Sequence, residues 1–143
     1  IEAAGRALQF TGVSVGNPHC VIFKQPGEAW TREDLLTLGP ALENHSLFPK
    51  RTNVQLAAPT GPKEIFILIW ERGAGETQAS GSSSCAAASA AVRLGLVKGP
   101  VTVKMPGGTL NIEVAQDFSL TMKGPVAEVA RGALSPSFVR GLK

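Results

Sequence analysis

The sequence predicts an α/β fold of the α+β kind: a barrel-like mixed or antiparallel sheet wrapped around one central helix. Short strand-forming runs separated by turn residues fill most of the chain. One of two readable helices is nearly all small residues, with Ala86, Ala87, Ala88, Ala90 and Ala91. Small side chains on several helix faces mean backbone packed closely all round. A strongly curved sheet supplies that packing.

The elements follow in order. "SVGNPHCVIF" leads into a strand at Val21, Ile22 and Phe23. A helix begins at Thr31, with Asp34 three residues on as the reciprocal half of a capping box. It carries Leu35, Leu36 and Leu38, and Pro40 is expected to kink or end it. "TNVQLAA", 52–58, starts β-branched and alternates. "EIFILIWER", 64–72, is apolar without alternation, as in a strand buried on both faces. The alanine helix starts near Gly81–Ser83 and runs to about Leu94, with Gly95 as its stop. "VTVKM" (101–105), "TLNIEV" (109–114), "FSLTMKG" (118–124) and "PVAEVARGAL" (125–134) are four runs expected to form an antiparallel meander. Pro26-Gly27, Pro59-Thr60-Gly61-Pro62, Pro106-Gly107-Gly108 and Gln116-Asp117 mark turns.

The bulk properties narrow the function. A chain of 143 residues fits a single domain, 1–143, with a core of its own. It is 43% hydrophobic and 17% charged, ordinary values for a soluble protein. No apolar run approaches the ~20 residues that span a bilayer, and no basic-then-apolar leader is readable. The first residue is Ile1 rather than Met, so a processed chain or a fragment is expected. A net charge of +3 and a pI of about 9.1 raise the question of nucleic acid. The basic residues are scattered, however, and the one short cluster, Pro49-Lys50-Arg51, has no interleaved aromatics, so a solvated loop is the reading and nucleic acid is not expected. Cys20 and Cys85 are too few for a disulfide framework. Their small and apolar neighbours favour reduced, buried thiols, with a Cys20–Cys85 bridge left open.

The chemistry concentrates around "WERGAGETQASGSSSCAAASAAV", Trp70 to Val92. The first amides of the alanine helix, at Gly81, Ser82 and Ser83, have no intrahelical acceptor. They lie at the positive end of the helix dipole, a natural seat for a carboxylate or phosphate. A plain helix cap by Ser80 or Ser82 is the competing reading. "GAGETQASG" is not a dinucleotide fingerprint, since its third glycine is misplaced, and no lysine follows Gly81 as in a phosphate loop. G-x-S-x-G is absent. His19 and Cys20 lack a spaced ligand pair, so no metal is expected. Glu71-Arg72 closes an apolar strand, which places a charge pair at a sheet edge or cleft, or in a plain surface turn. Asn17 and His19 flank a strand start, where a tight turn and a satisfied buried histidine compete with a functional role. Asn53 stands before a strand, where an Asx-turn is the default.

Taken together and in this order, "GNPHCVIF", "FPKRTNVQL" and "WERGAGETQASGSSSCAAA" resemble the C-terminal half of diaminopimelate epimerase, from about Val13 to Val139. The resemblance implies one half of a two-domain protein, each half a barrel-like sheet around a central helix, with the active site between them. It implies epimerisation of LL-diaminopimelate to the meso form, in lysine biosynthesis, by two-base proton transfer between cysteines of the two halves. It implies that no pyridoxal phosphate, metal or other cofactor takes part. The implied partners are a small amino-acid substrate and the N-terminal half of the same protein, with a homodimer allowed; no nucleic acid or membrane enters, and the location is cytoplasmic. Residue by residue, the resemblance implies that Gly81 and Ser82 would give amides to the α-carboxylate. Glu71 assists the local catalytic position, and His19 assists the cysteine of the other half. Asn17, Asn53 and Arg72, beside Glu71, hold the distal amino-acid end.

This chain departs from the pattern at one decisive place. Ser80 stands where the family carries its second catalytic cysteine. A thiol titrates near ~8.5 before tuning; a serine hydroxyl is far less acidic, and about 1 kcal/mol of helix-dipole help does not close the gap. Cys85, five residues on, is more than one helical turn away. Ser80 is then either a substitution of the natural cysteine or the mark of a diverged relative: an inactive amino-acid-binding domain, or a one-base isomerase. The "C-G-N-G" segment of the other half is absent from these residues, so the isolated chain is expected to be inactive.

Overall fold

The computed structural model describes residues 1–142. In chain order the elements are β1 (Glu2–Ala3), β2 (Arg6–Ala7), β3 (Thr11–Ser14), β4 (Pro18–Phe23), α1 (Arg32–Glu43), β5 (Asn53–Gly61), β6 (Glu64–Glu71), β7 (Gly75–Thr77), α2 (Gly81–Arg93), β8 (Val101–Met105), β9 (Gly108–Val114), β10 (Leu120–Lys123) and α3 (Pro136–Arg140). The main sheet runs β10-β9-β8-β6-β5-β4-β3, with β7 also on β6. The apolar run of β6 is its hub. It pairs antiparallel with β5 along most of its length. Its other edge is shared between parallel β8, at Glu64–Phe66, and antiparallel β7, at Ile69–Glu71.

Alternation along the strands sorts the core into two layers. Val21, Ala57, Ile65, Ile67, Ile69, Val101, Val103 and Ile112 face α2. Cys20, Ile22, Val54, Leu56 and Leu68 face Leu35, Leu38 and Leu42 of α1. Because β6 is covered on both sides, its sequence shows no polar face. Helix α2 touches β3, β4, β5, β6, β8, β9 and β10, so the sheet curls round it as a half-barrel. Ala86, Ala87, Ala88, Ala90 and Ala91 are all buried there; side chains no larger than methyl let the strands close in.

The start of α1 and both ends of α2 fall where the sequence placed them, whereas the sequence does not predict α3. Thr31 caps α1: its Oγ1 accepts the Asp34 amide at 3.1 Å, and Asp34 Oδ2 accepts the Thr31 amide at 3.0 Å. Gly95 follows α2 with φ +70°, a conformation natural to glycine. Pro40 does not end α1, which continues to Glu43. The bond that proline cannot make belongs to the carbonyl of Leu36, an exposed residue. Beyond it, Leu42 and Glu43 are buried and hold the last turn in place.

The expected meander is also corrected. β8, β9 and β10 form it, but 125–134 is not a fourth strand. Val126 and Val129 are almost fully exposed; their apolar pattern meets no partner strand among the described residues.

Candidate active site

β4 and β5 are parallel and β6 runs against β5, so the starts of β4 and β5 and the end of β6 share one rim of the half-barrel. His19 pairs with Asn53 in the ladder. Asn53 in turn lies one step from the Val54–Trp70 pair, next to Glu71. Helix α2 begins at the same rim, where Gln55 of β5 reaches Ser83 of its first turn, Nε2 to Oγ 3.0 Å.

Asn53 fastens two loops. It is buried, and its Nδ2 donates to the Pro18 carbonyl at 2.9 Å. Its Oδ1 accepts the Arg72 amide at 3.0 Å. The local Asx-turn read from the sequence gives way to this bridge, because Asn53 is already inside β5 and its side chain points at the neighbouring loops. Arg72 is exposed and donates from Nη1 to the Lys50 carbonyl at 3.0 Å. The Glu71–Gly75 turn closes with the Ala74 amide on the Glu71 carbonyl at 3.0 Å.

Ser80 is the N-cap of α2. Its Oγ accepts the Ser83 amide at 3.4 Å, and its carbonyl accepts the Ser84 amide at 3.1 Å and the Ser84 hydroxyl at 2.8 Å. Among the described residues the amides of Gly81 and Ser82 meet no protein acceptor. The approach to the helix is held by the β8–β9 turn, whose Gly107 amide donates to the Gln78 carbonyl at 2.7 Å. A Cβ on Gly107 would lie 2.8 Å from that oxygen, so only glycine fits. A cavity of about 260 Å³ opens beside Ser80 and Gly81, bounded by Met105, Leu110 and Pro125. A larger one, about 560 Å³, lies away from this rim between Phe10, Phe23, Leu94 and Leu96 and contains none of the candidate residues.

The electrostatics separate the groups. His19 is buried, and its Nε2 lies 3.0 Å from Asn17 Oδ1. Burial lowers its pKa from the ordinary value; contact with Gln55 and the Glu71 charge oppose that, and Arg72 reinforces it. His19 is therefore neutral near pH 7. Burial pushes the Cys20 thiol up to about 12 and raises Cys85 as well. Both are free, so the bridge left open by the sequence is not formed, and Cys85 is half-buried rather than buried. Neither is poised as a thiolate. Among the described residues no group of His, Cys, Asp and Glu converges as a metal site.

The rim thus joins Asn17, His19, Asn53 and Arg72 by hydrogen bonds, with Glu71 beside them. Ser80, Gly81 and Ser82 stand at the helix end. No hydrogen bond ties Ser80 to His19 or Glu71 among the described residues. Two organising residues were missed in the sequence. Gln55 is fully buried, and a lone amide inside "NVQLAA" was its only signal. Glu43 is buried at the end of α1 and accepts from Trp70 Nε1 at 2.7 Å, the Gly73 amide at 2.8 Å and Arg51 Nη1 at 2.9 Å.

A curled half-barrel threaded by a small-residue helix defines the fold class. It is shared with a phenazine biosynthesis protein of the PhzF family from Bacillus anthracis, at a TM-score of 0.56 and 14% identity over 80% of this chain and 38% of that one. That likeness establishes the fold alone. The sequence goes further: the family model for diaminopimelate epimerase matches residues 11–129. The diaminopimelate epimerase of Desulfitobacterium hafniense is 44% identical over 94% of this chain and 46% of its own length. That of Rhodospirillum centenum is 46% identical over 90% and 43%. The chain belongs to the diaminopimelate epimerase family, and it spans slightly less than half the length of these relatives.

Proposed function

We propose that this chain forms one half of the active site of a cofactor-independent epimerase that interconverts LL- and meso-diaminopimelate in lysine biosynthesis. The observation that carries the reading is the pair of amides at Gly81 and Ser82 with no protein acceptor, at a helix N-terminus on the same rim of the half-barrel as Asn17, His19, Asn53, Glu71 and Arg72. An α-carboxylate seated on those amides spreads the charge that develops when the α-proton leaves. Asn17, Asn53 and Arg72 offer donors to the distal amino-acid end. Glu71 serves the position of Ser80, and neutral His19 is free to take a proton from the thiol of the other half.

Inversion needs a base on one face of the α-carbon and an acid on the other. The base takes the α-proton on its own lone pair, the C–H bonding pair stays on the α-carbon as the carbanion, and the opposing acid protonates that pair from the other side. This chain supplies one of those positions, and Ser80 occupies it. The other position belongs to the N-terminal half, the partner the site requires; the protein would work in the cytoplasm.

The specific bonding of Ser80 favours a second reading. Its Oγ already caps α2, as in a domain that binds the amino acid without epimerising it. Turnover separates the two. The 143-residue chain incubated alone with LL-diaminopimelate should yield no meso form. Full-length protein carrying Ser80→Cys should yield it steadily. Turnover by the isolated chain contradicts the half-site, and a silent full-length Ser80→Cys protein favours the binding domain.

A further inference from the structure

Residues 124–134 leave the half-barrel after β10 and take neither helical nor strand structure. Among the described residues their backbone groups make no hydrogen bond to other backbone. Val126 is 97% exposed and Val129 96%, and Leu134 is exposed as well. β-Branched side chains and unpaired amides in one non-helical stretch are what a sheet edge on a partner takes up.

The start of the segment fixes where that partner lies. A Cβ on Gly124 would collide with Leu110 of β9, so the chain passes close against that strand. Pro125 then bounds the cavity beside Ser80 and Gly81. Whatever pairs with residues 126–134 is therefore next to the N-terminus of α2. The match to the family runs to residue 129, so both valines belong to the family's pattern. This chain spans slightly less than half the length of its relatives, which leaves the other half as a partner. A second copy of this chain is the poorer occupant. The end strands of its main sheet, β3 and β10, are four residues each, too short to match the segment.

We propose that residues 126–134 form a β-strand on the other half of the protein, and that this exchanged strand docks the two halves beside the helix end carrying Gly81 and Ser82. Val126 and Val129 are three positions apart, so they point to opposite faces of such a strand. The partner must then cover both faces, as it does for a strand inside a sheet rather than one laid on a surface. The proposal rests on the two-half reading of the protein and not on its chemistry.

Hydrogen–deuterium exchange tests it, with full-length protein and the 143-residue chain side by side and no substrate present. In the 143-residue chain the amides of 126–134 should exchange as freely as in an unfolded peptide. In full-length protein they should exchange slower by orders of magnitude. Free exchange in both overturns the proposal. Protection in the 143-residue chain overturns it too: a second copy is the occupant if protection grows with concentration, and otherwise the segment folds onto its own half. Val129→Asp separates docking from a general structural role. It should restore exchange and lower the thermal midpoint in full-length protein. It should leave the midpoint of the 143-residue chain unchanged, because Val129 is already exposed there. An equal loss in both proteins, or a loss in neither, contradicts the exchanged strand. A protected segment in a silent enzyme sinks the epimerase reading alone. Free exchange in an active full-length Ser80→Cys protein sinks the strand alone.

Discussion

Glu43 Oε1 accepts the backbone amide of Gly73 at 2.8 Å, tying the last turn of α1 to the turn that carries Glu71 and Arg72. The other oxygen takes the Trp70 indole, and Arg51 completes the set. Trp70 is seated by Gly39 of α1, where a Cβ would come within 2.6 Å of its ring. The same carboxylate therefore fixes the end of β6 and the turn beyond it.

Removing Glu43 strands the Trp70 and Gly73 donors in a half-buried setting. Each unpaired donor costs on the order of 1–3 kcal/mol, so Glu43→Ala should lower stability by about 3 kcal/mol in urea unfolding, with the guanidinium of Arg51 returning to water at little loss. The Glu71–Gly75 turn should loosen with it. Protected amide exchange at Gly73 and Arg72 in Glu43→Ala would contradict the assignment.

The alanines of α2 set how closely the sheet can curl. Ala87 is fully buried among strands. Ala87→Leu adds three carbons to a closed interior and should cost roughly 1–3 kcal/mol, read as a lower thermal midpoint. Leu36→Ala, on the exposed side of α1, should change stability by about 0.5 kcal/mol or less.

Much of this architecture is legible in the sequence, and the exceptions have physical reasons. Thr31 and Asp34, or Ser80 and Gly95, mark helix ends because caps are local chemistry. β6 is legible as a doubly covered strand because burial on both faces leaves a continuous apolar run. The segment 125–134 misleads because alternation records only a preference for a half-buried surface, and pairing is decided elsewhere in the chain. Pro40 misleads because the carbonyl it leaves unpaired belongs to an exposed residue, Leu36, while the burial of Leu42 is non-local. The rim residues Asn17, His19, Asn53, Glu71 and Arg72 stand out through their motifs. Gln55 and Glu43 do not: a single glutamine in a strand and a glutamate at a helix end resemble solvent-facing residues until the fold buries them.

His19 gives the molecule an acid sensitivity of known sign. Burial holds its folded-state pKa below the ordinary 6.5. Above that value the ring is neutral both folded and unfolded, and stability is unaffected. As pH falls below it, the unfolded chain takes up a proton that the folded chain refuses, so stability declines until the folded-state value is passed. The slope should not exceed about 1.4 kcal/mol per pH unit. Glu43, whose pKa is lowered from 4.5 by its donors despite burial, adds its own loss only at more acidic pH. Urea midpoints should thus fall as the pH drops below about 6.5 in the unaltered chain, and this decline should flatten in His19→Gln. A pH-independent midpoint in the unaltered chain would contradict a buried neutral ring.

On the half-site proposal, Ser80 decides whether this rim moves protons. Its hydroxyl caps α2 beside the free Gly81 and Ser82 amides, the surroundings that lower a thiol's pKa and that cannot make a hydroxyl a comparable acid. The direct measurement is deuterium uptake at the α-carbon of diaminopimelate, followed in deuterated water with full-length protein carrying either Ser80 or Ser80→Cys. The half-site account predicts exchange faster by orders of magnitude with the cysteine. Equal exchange by the two forms would mean that position 80 is not the proton carrier.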